Sequence, residues 1–352
     1  MTPATEWTNP GNSTEGEGTH EEHMSRAQRI AVLIGVIAPF FALIGAIILF
    51  WNRGIYWIDM VLLASFYSLT VIGITVGFHR LFTHRAFEAV RPVRIFLAIA
   101  GSMALQGPVI KWCAVHRRHH QQSDREGDPH SPYAFGDGFW AMVRGMWHSH
   151  VGWLLNNDPA DLNRSVGDLM ADKDLVYIDR TFFWWFTLGL IIPAVIGWVV
   201  MGWLGAGLFS ASGAWGALHG LFWGGGARVC LMHHATWSIN SVCHIWGSRP
   251  YNSNDESRNN VIFGIVSFGE GWHNNHHAFP TSARHGLKWY QLDISWLFIS
   301  TLKKLGLVWN VRLPNEAALK AKRRVPTPAR PVEGDRSSAP EMSLTPPTAA
   351  DA

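Results

Sequence analysis

The chain alternates between long stretches without charge and polar stretches crowded with histidine and arginine. The first apolar stretch, Ile30–Phe50, is flanked by Arg29 and Arg53 and holds no charged residue. A hydrocarbon core takes about 20 apolar residues of helix, so this stretch predicts a membrane span. A second, Met60–Phe78, follows a short link that contains Asp59. Thr181–Ala227 has no Asp, Glu, Lys or Arg, and its Gly- and Ser-rich centre, Gly205–Gly213, predicts a break between two helices. The expected fold class is therefore all-α and integral to the membrane, with four transmembrane helices in two hairpins. Ile95–Ile110 is shorter, with Pro92 before it and Pro108 inside it, and reads as a re-entrant or interfacial helix.

Composition agrees. Of 352 residues, 48% are hydrophobic and 16% charged, against about 25% charged in soluble domains. Nineteen Trp against six Tyr points the same way, because Trp anchors helices at membrane interfaces. Cys113, Cys230 and Cys243 are too few for a disulfide framework or a Cys-x-x-Cys metal site. A net charge of +3 gives no reason to expect nucleic acid.

Orientation follows from the loops. The links within the two hairpins are nearly free of Lys and Arg, whereas Arg80–Arg125 holds eight basic residues and more follow Arg228. Both termini and the long middle segment are thus expected on the cytoplasmic side of the cell membrane. Arg228 is expected to snorkel at the inner end of the fourth span. Residues 1–25 are polar, without the pattern of a signal peptide, and read as a disordered tail. Residues 26–313 form the membrane domain, and 314–352, rich in Pro, Ala and Arg, read as a second tail.

Four histidine groups carry the chemistry. His79 and His84 form an Hx4H unit at the inner end of the second span. His116, His119 and His120 form an HxxHH unit, as do His273, His276 and His277. Asn240 and His244 lie four residues apart beyond the fourth span. On a helix, positions i, i+3 and i+4 share a face, so each HxxHH unit can present three imidazoles to one centre. His79 and His84 do not share an α-helical face and are expected to straddle a helix end. Nine histidines are too many for one metal and suit two, although imidazole alone does not choose among Fe, Zn, Cu and Ni. His20, His23, His130, His148, His150, His219 and His285 lack ligand spacing and read as ordinary polar residues, as does the His233–His234 pair near the membrane boundary.

The units HRLFTH, HRRHH, NSVCH and GEGWHNNHHAFP, in this order and spacing, resemble the membrane acyl-CoA desaturases of the stearoyl-CoA type over roughly residues 30–310. The resemblance implies four transmembrane helices under a cytosolic helical cap. It also implies two iron ions held by His79, His84, His116, His119, His120, His244, His273, His276 and His277. Asn240 matches an asparagine that contacts an iron-bound water. The implied reaction uses O2 to insert a cis double bond between C9 and C10 of a saturated C16–C18 acyl chain. No flavin, haem or iron–sulfur motif is present, so electrons are expected to come from NAD(P)H through a separate reductase and donor. That donor would be ferredoxin-like, a flavoprotein reductase or cytochrome b5-like.

By the same resemblance, Gln106, Trp112, Thr236 and Trp237 shape an acyl tunnel, and Tyr67 closes its far end with Val71 one turn nearer the metals. The plainer reading makes the Trp residues interface anchors, and Tyr67 and Val71 helix-packing residues. Glu270 is placed to orient His273, or is a solvated loop carboxylate. Arg117, Arg118 and Arg125 would bind carrier phosphates or merely satisfy the positive-inside bias. Gly107, Ala114 and Val115 stand where the family's animal members carry polar groups that meet coenzyme A, which leaves a lipid-bound acyl chain as an alternative carrier. A membrane hydroxylase is the rival enzyme, and a metal transporter or sensor the rival of another class.

Overall fold

The computed structural model describes residues 24–50, 54–156 and 165–324. Helix α1 (Arg26–Phe50) is followed by α2 (Trp57–Ile72), which runs unbroken into a π-helical segment, Gly73–Thr83. A short strand β1 (Glu88–Ala89) leads to α3 (Arg91–Ser102), α4 (Val109–Gln122) and α5 (Phe139–His150). Next come α6 (Gly167–Met170), α7 (Lys173–Arg180) and the long apolar α8 (Phe182–Leu204). After a turn, residues 211–240 are helical throughout: α9 (Ala211–His219), a π-helical segment Gly220–Ala227, and α10 (Arg228–Asn240). The cap is completed by α11 (Val242–Ile245), α12 (Val261–Val266), α13 (His273–Ala278), α14 (Ile294–Lys304), β2 (Val308–Trp309) and α15 (Glu316–Lys322). β2 pairs antiparallel with β1.

Among the described residues, three helices are long and apolar enough to cross a membrane: Arg26–Phe50, Trp57–Thr83 and Phe182–Leu204. The break after Leu204 falls where glycine and serine predicted it. The segment Ile95–Ile110 is no span, being split between α3 and α4 by a turn at residues 103–108.

Small residues set the close packing. A Cβ on Gly216 would lie 2.2 Å from the Gly197 carbonyl oxygen, and one on Gly197 equally close to that of Gly216. These two glycines let α8 and α9 meet backbone to backbone. Gly73 likewise seats the second long helix on α3, since a Cβ there would fall 2.1 Å from the Gly101 amide nitrogen.

Two expectations are corrected. Arg228 does not snorkel: it is fully buried and donates to the carbonyls of Gly224, Met103 and Gly189 at 3.0, 2.8 and 2.8 Å. The turn after α3 leaves the Met103 carbonyl without a helical partner, and the guanidinium fork satisfies it. The chain also remains folded past Pro314. Asn315 caps α15 by accepting from the Ala318 amide at 2.8 Å, and Arg324 donates its amide to Pro250 at 2.9 Å. Residues 1–23 and 325–352, read as tails, lie outside the described residues.

Candidate metal centre

The second long helix delivers His79 and His84, and its π-helical end explains how. The His84 amide donates to the His79 carbonyl at 3.1 Å, five residues back, and the Thr83 hydroxyl likewise to Phe78 at 2.8 Å. This wider turn carries His84, the residue capping the helix, round to the side His79 faces, and their ring centroids are 4.8 Å apart. α4 supplies His116, His119 and His120, α11 His244, and α13 His273, His276 and His277.

All nine histidines expected as ligands converge, but as two clusters. His79, His84, His116, His120 and His276 form one; His119, His244, His273 and His277 form the other. Within each, the nearest ring nitrogens lie within 4.8 Å of one another. Each HxxHH unit therefore divides between the centres instead of serving one. At 3.6 residues per turn, i and i+4 are turned by about 40° from each other, whereas i+3 lies about 60° to the other side of i. His116 and His120 share the first centre and His119 turns to the second. On α13, His273 and His277 share the second and His276 turns to the first. His120 stacks on His277 at 4.4 Å, so the centres adjoin.

Carboxylates hold four of the rings from behind. Nδ1 of His119 lies 3.0 Å from Asp128, that of His244 2.8 Å from Asp124, and that of His277 2.5 Å from Asp255. Nδ1 of His79 contacts Glu270. A carboxylate accepts, so each of these Nδ1 atoms carries the proton and each Nε2 presents a lone pair. The structure thus corrects the expected role of Glu270: it orients His79, while Nδ1 of His273 has no hydrogen-bond partner among the described residues. Burial pushes the Asp128 and Asp255 carboxyls up, but His119 and His277 beside them overcome this and hold both below the usual carboxylate range. Burial and then neighbouring imidazoles press His116, His120, His273 and His276 well below the usual histidine value, leaving neutral rings suited to ligation.

The donor set fits metal ions. Nε2 of His276 lies 3.0 Å from that of His79 and 2.9 Å from that of His120, which is 3.1 Å from that of His116. In the second cluster, Nε2 of His244 lies 3.1 Å from that of His273. His79 and His244 bring lone pairs to these contacts, and among the described residues the buried Nε2 atoms of His84 and His277 have no hydrogen-bond partner. Such converging acceptors suit cations. Metal–nitrogen bonds of about 2.1 Å at right angles place neighbouring nitrogens about 3.0 Å apart.

Several residues were not found by sequence reasoning. Asp124, Asp128 and Asp255 carry no motif, although Asp124 and Asp128 sit in the acidic turn directly after the first HxxHH unit. Arg80, fully buried, donates to Glu270 at 3.0 Å, to Asp293 at 3.3 Å and to the Ala283 carbonyl at 2.9 Å, tying the helix end to the cap. His285, set aside as an ordinary polar residue, packs on His276 at 4.4 Å and accepts at Nδ1 from Arg80 at 3.2 Å. His130 packs on His119 at 4.3 Å. His233 and His219 do serve structural contacts, bonding to the Leu105 carbonyl at 3.0 Å and to Asp59 at 2.8 Å. Arg117 is committed to Asp168 at 2.6 Å and to the carbonyls of Phe82, Thr83 and Ser165. Arg118 and Arg125 reach the carbonyls of Gly127 and Asn254.

A predominantly apolar cavity of about 790 Å³ meets the first cluster at His116. Gln106, Trp112, Thr236, Trp237 and Asn240 all line it. Trp112 stacks on His116 and donates to Gln106 at 3.3 Å, which donates to Thr236 at 2.9 Å, a polar bridge from α4 to α10. Trp112, His116, Thr236 and Asn240 also line a smaller cavity of about 40 Å³, whose other walls include Val71 and His79. Tyr67 lines neither cavity; it lies one turn beyond Val71 and donates to the Val266 carbonyl at 2.7 Å.

The family model described as fatty acid desaturase matches residues 55–307. The chain is 40% identical over 317 residues to a hex-5-enoyl-[acyl-carrier protein] acetylenase of Moorena producens (strain JHB), covering 89% of this chain and 95% of that protein. It is 39% identical over 297 residues to an icosanoyl-CoA 5-desaturase of Limnanthes douglasii, covering 82% and 72%. It is 36% identical over 277 residues to an sn-1 stearoyl-lipid 9-desaturase of Anabaena variabilis, covering 78% and 91%. Matches of this extent, with a five-histidine cluster that meets an apolar cavity at His116, mean that the chain belongs to the fatty acid desaturase family.

Proposed function

We propose that this protein is a diiron membrane desaturase that inserts a cis double bond into a saturated acyl chain, with C9–C10 of a C16–C18 chain as the expected position. One observation carries the reading: His116 belongs to the five-histidine cluster and also lines both apolar cavities, so a metal and a hydrocarbon would meet there. Desaturase-family membership implies an oxidoreductase. The balanced reaction takes one saturated –CH2–CH2– unit, O2, two electrons and two protons to a –CH=CH– unit and two waters. Iron in the two clusters would supply the oxidising power that no side chain has for an unactivated C–H bond.

The chain's own residues bind, orient and exclude water. Apolar walls hold the hydrocarbon, and the bridge of Trp112, Gln106 and Thr236 fixes the neck against His116. Asn240 faces both cavities and, among the described residues, its amide has no hydrogen-bond partner, so it is free to hold a water beside the metals. Asp124, Asp128, Asp255 and Glu270 keep their histidines in the tautomer that ligates.

The fourth span would be residues 211–240, paired with α8, and the Lys and Arg distribution supports cytoplasmic termini and a cytoplasmic metal site. Electrons would enter from a separate redox protein. Membranes containing the iron-loaded protein, given a reductase system and saturated acyl substrates, should yield a cis alkene mapped by mass spectrometry. A His276→Ala protein should give none. An alcohol product would instead establish a hydroxylase.

A further inference from the structure

Two long apolar helices line the 790 Å³ cavity. α1 lines it at Ala31, Ile34, Gly35 and Ala38, and the start of α8 lines it at Phe183 and Phe186. Both helices are long and apolar enough to cross a membrane, and Ile34 and Phe183 are 59% and 64% exposed. Leu221, Phe222 and Val229 line it as well, and Trp112, Thr236 and Asn240 line both this cavity and the smaller one beside His116. Contact along α1 from Ala31 to Ala42 extends about 16 Å at 1.5 Å per residue, enough for an extended hydrocarbon segment.

Charge separates the possible carriers. Among the described lining residues, Lys111 is the only Lys or Arg and none is Asp or Glu. A carrier with several phosphates would meet one fixed cation among these described lining residues. The nearby Arg117, Arg118 and Arg125 already serve backbone carbonyls, and Arg117 also serves Asp168. A lipid keeps its headgroup at the interface and needs only an apolar passage for the chain.

We propose that the acyl chain reaches the metals from within the bilayer, through the slot between α1 and α8, while esterified to a membrane lipid. The proposal rests on the desaturase reading and adds its route and carrier class. The test uses the full-length, iron-loaded protein in nanodiscs containing phosphatidylcholine with a diazirine on a saturated acyl chain. Photolabelling should mark Val229 and Thr236, inside the slot. Ala38→Trp should reduce that labelling, and desaturation of unmodified phosphatidylcholine, about tenfold or more. Ile37→Trp, on the same helix but outside the lining, should match wild type in both. Iron content equal to wild type verifies that Ala38→Trp is folded, and Gly35→Leu replaces it if not. Labelling of Val229 and Thr236 without wild-type turnover of any acyl substrate would support the slot while refuting the desaturase reading. No label at either residue, or unchanged labelling and turnover in the folded slot variants, would overturn the proposal.

Discussion

His119 and Asp128 are joined through Nδ1 at 3.0 Å, and the same carboxylate accepts the amides of Asp124 and His130 at 2.8 and 3.1 Å. One aspartate thus folds the acidic turn back under α4 and aims His119 away from His116 and His120, at the second centre. Replacing it should be felt at the metal. Asp128→Asn and Asp255→Asn should each weaken metal binding by about 10–100-fold while the chain still inserts, read by titration with Fe(II) or Co(II). Unchanged affinity in both would show that backbone geometry alone orients these rings.

The division of each HxxHH unit makes a second prediction. His276→Ala removes a donor from the five-histidine cluster and His119→Ala one from the four-histidine cluster. On the proposed diiron reading, each should lower bound iron from two ions per chain towards one and abolish turnover, by elemental analysis and product assay. Replacing His148, outside both clusters, should change neither. Loss of all iron in each single variant would mean that the centres load only together.

Asn240 should behave differently from the histidines. Asn240→Ala should retain most of the iron but lose turnover, because the side chain lines both cavities beside His116, where it would hold a water. Full turnover in that variant would remove it from the mechanism.

Chain length tests the inner cavity. Val71→Phe would fill space in a 40 Å³ void and should shift preference to shorter acyl chains. Tyr67→Ala should break the bond to the Val266 carbonyl and, by clearing space one turn beyond Val71, favour longer chains. The double bond should stay in place in both, as gas chromatography of the products would show. An unchanged profile in two folded variants would place the floor elsewhere.

Acid should destabilise the metal-free protein. Burial and then neighbouring imidazoles keep His116, His120, His273 and His276 well below 6.5 in the folded chain, whereas the unfolded chain gains their protons near 6.5. The unfolded state therefore binds more protons below that pH, so stability falls as pH drops through 6.5 and is regained above it. Denaturant midpoints of the metal-free protein in detergent, from about pH 8 to pH 5, should decline accordingly. A flat profile would mean that the clusters open before they protonate.

Much of this protein is written locally. Runs without charge define the apolar helices, because the cost of burying charge in lipid depends on composition over about 20 residues. Histidine spacing names all nine members of the two clusters, because helical periodicity is local too. Spacing could not assign each ring to a centre: the 2:1 division depends on where α4 and α13 sit relative to each other, and joining His79 to His84 needed a π-helical turn. The supporting groups were hidden for a similar reason. Glu270 lies 191 residues from His79 and Asp124 lies 120 from His244, so only packing of the cap onto the helix ends brings each carboxylate to its ring. Arg228 shows the same limit. Its charge at the edge of an apolar run suggested a side chain reaching for water, yet the fold surrounds it with three backbone carbonyls that no sequence window reveals.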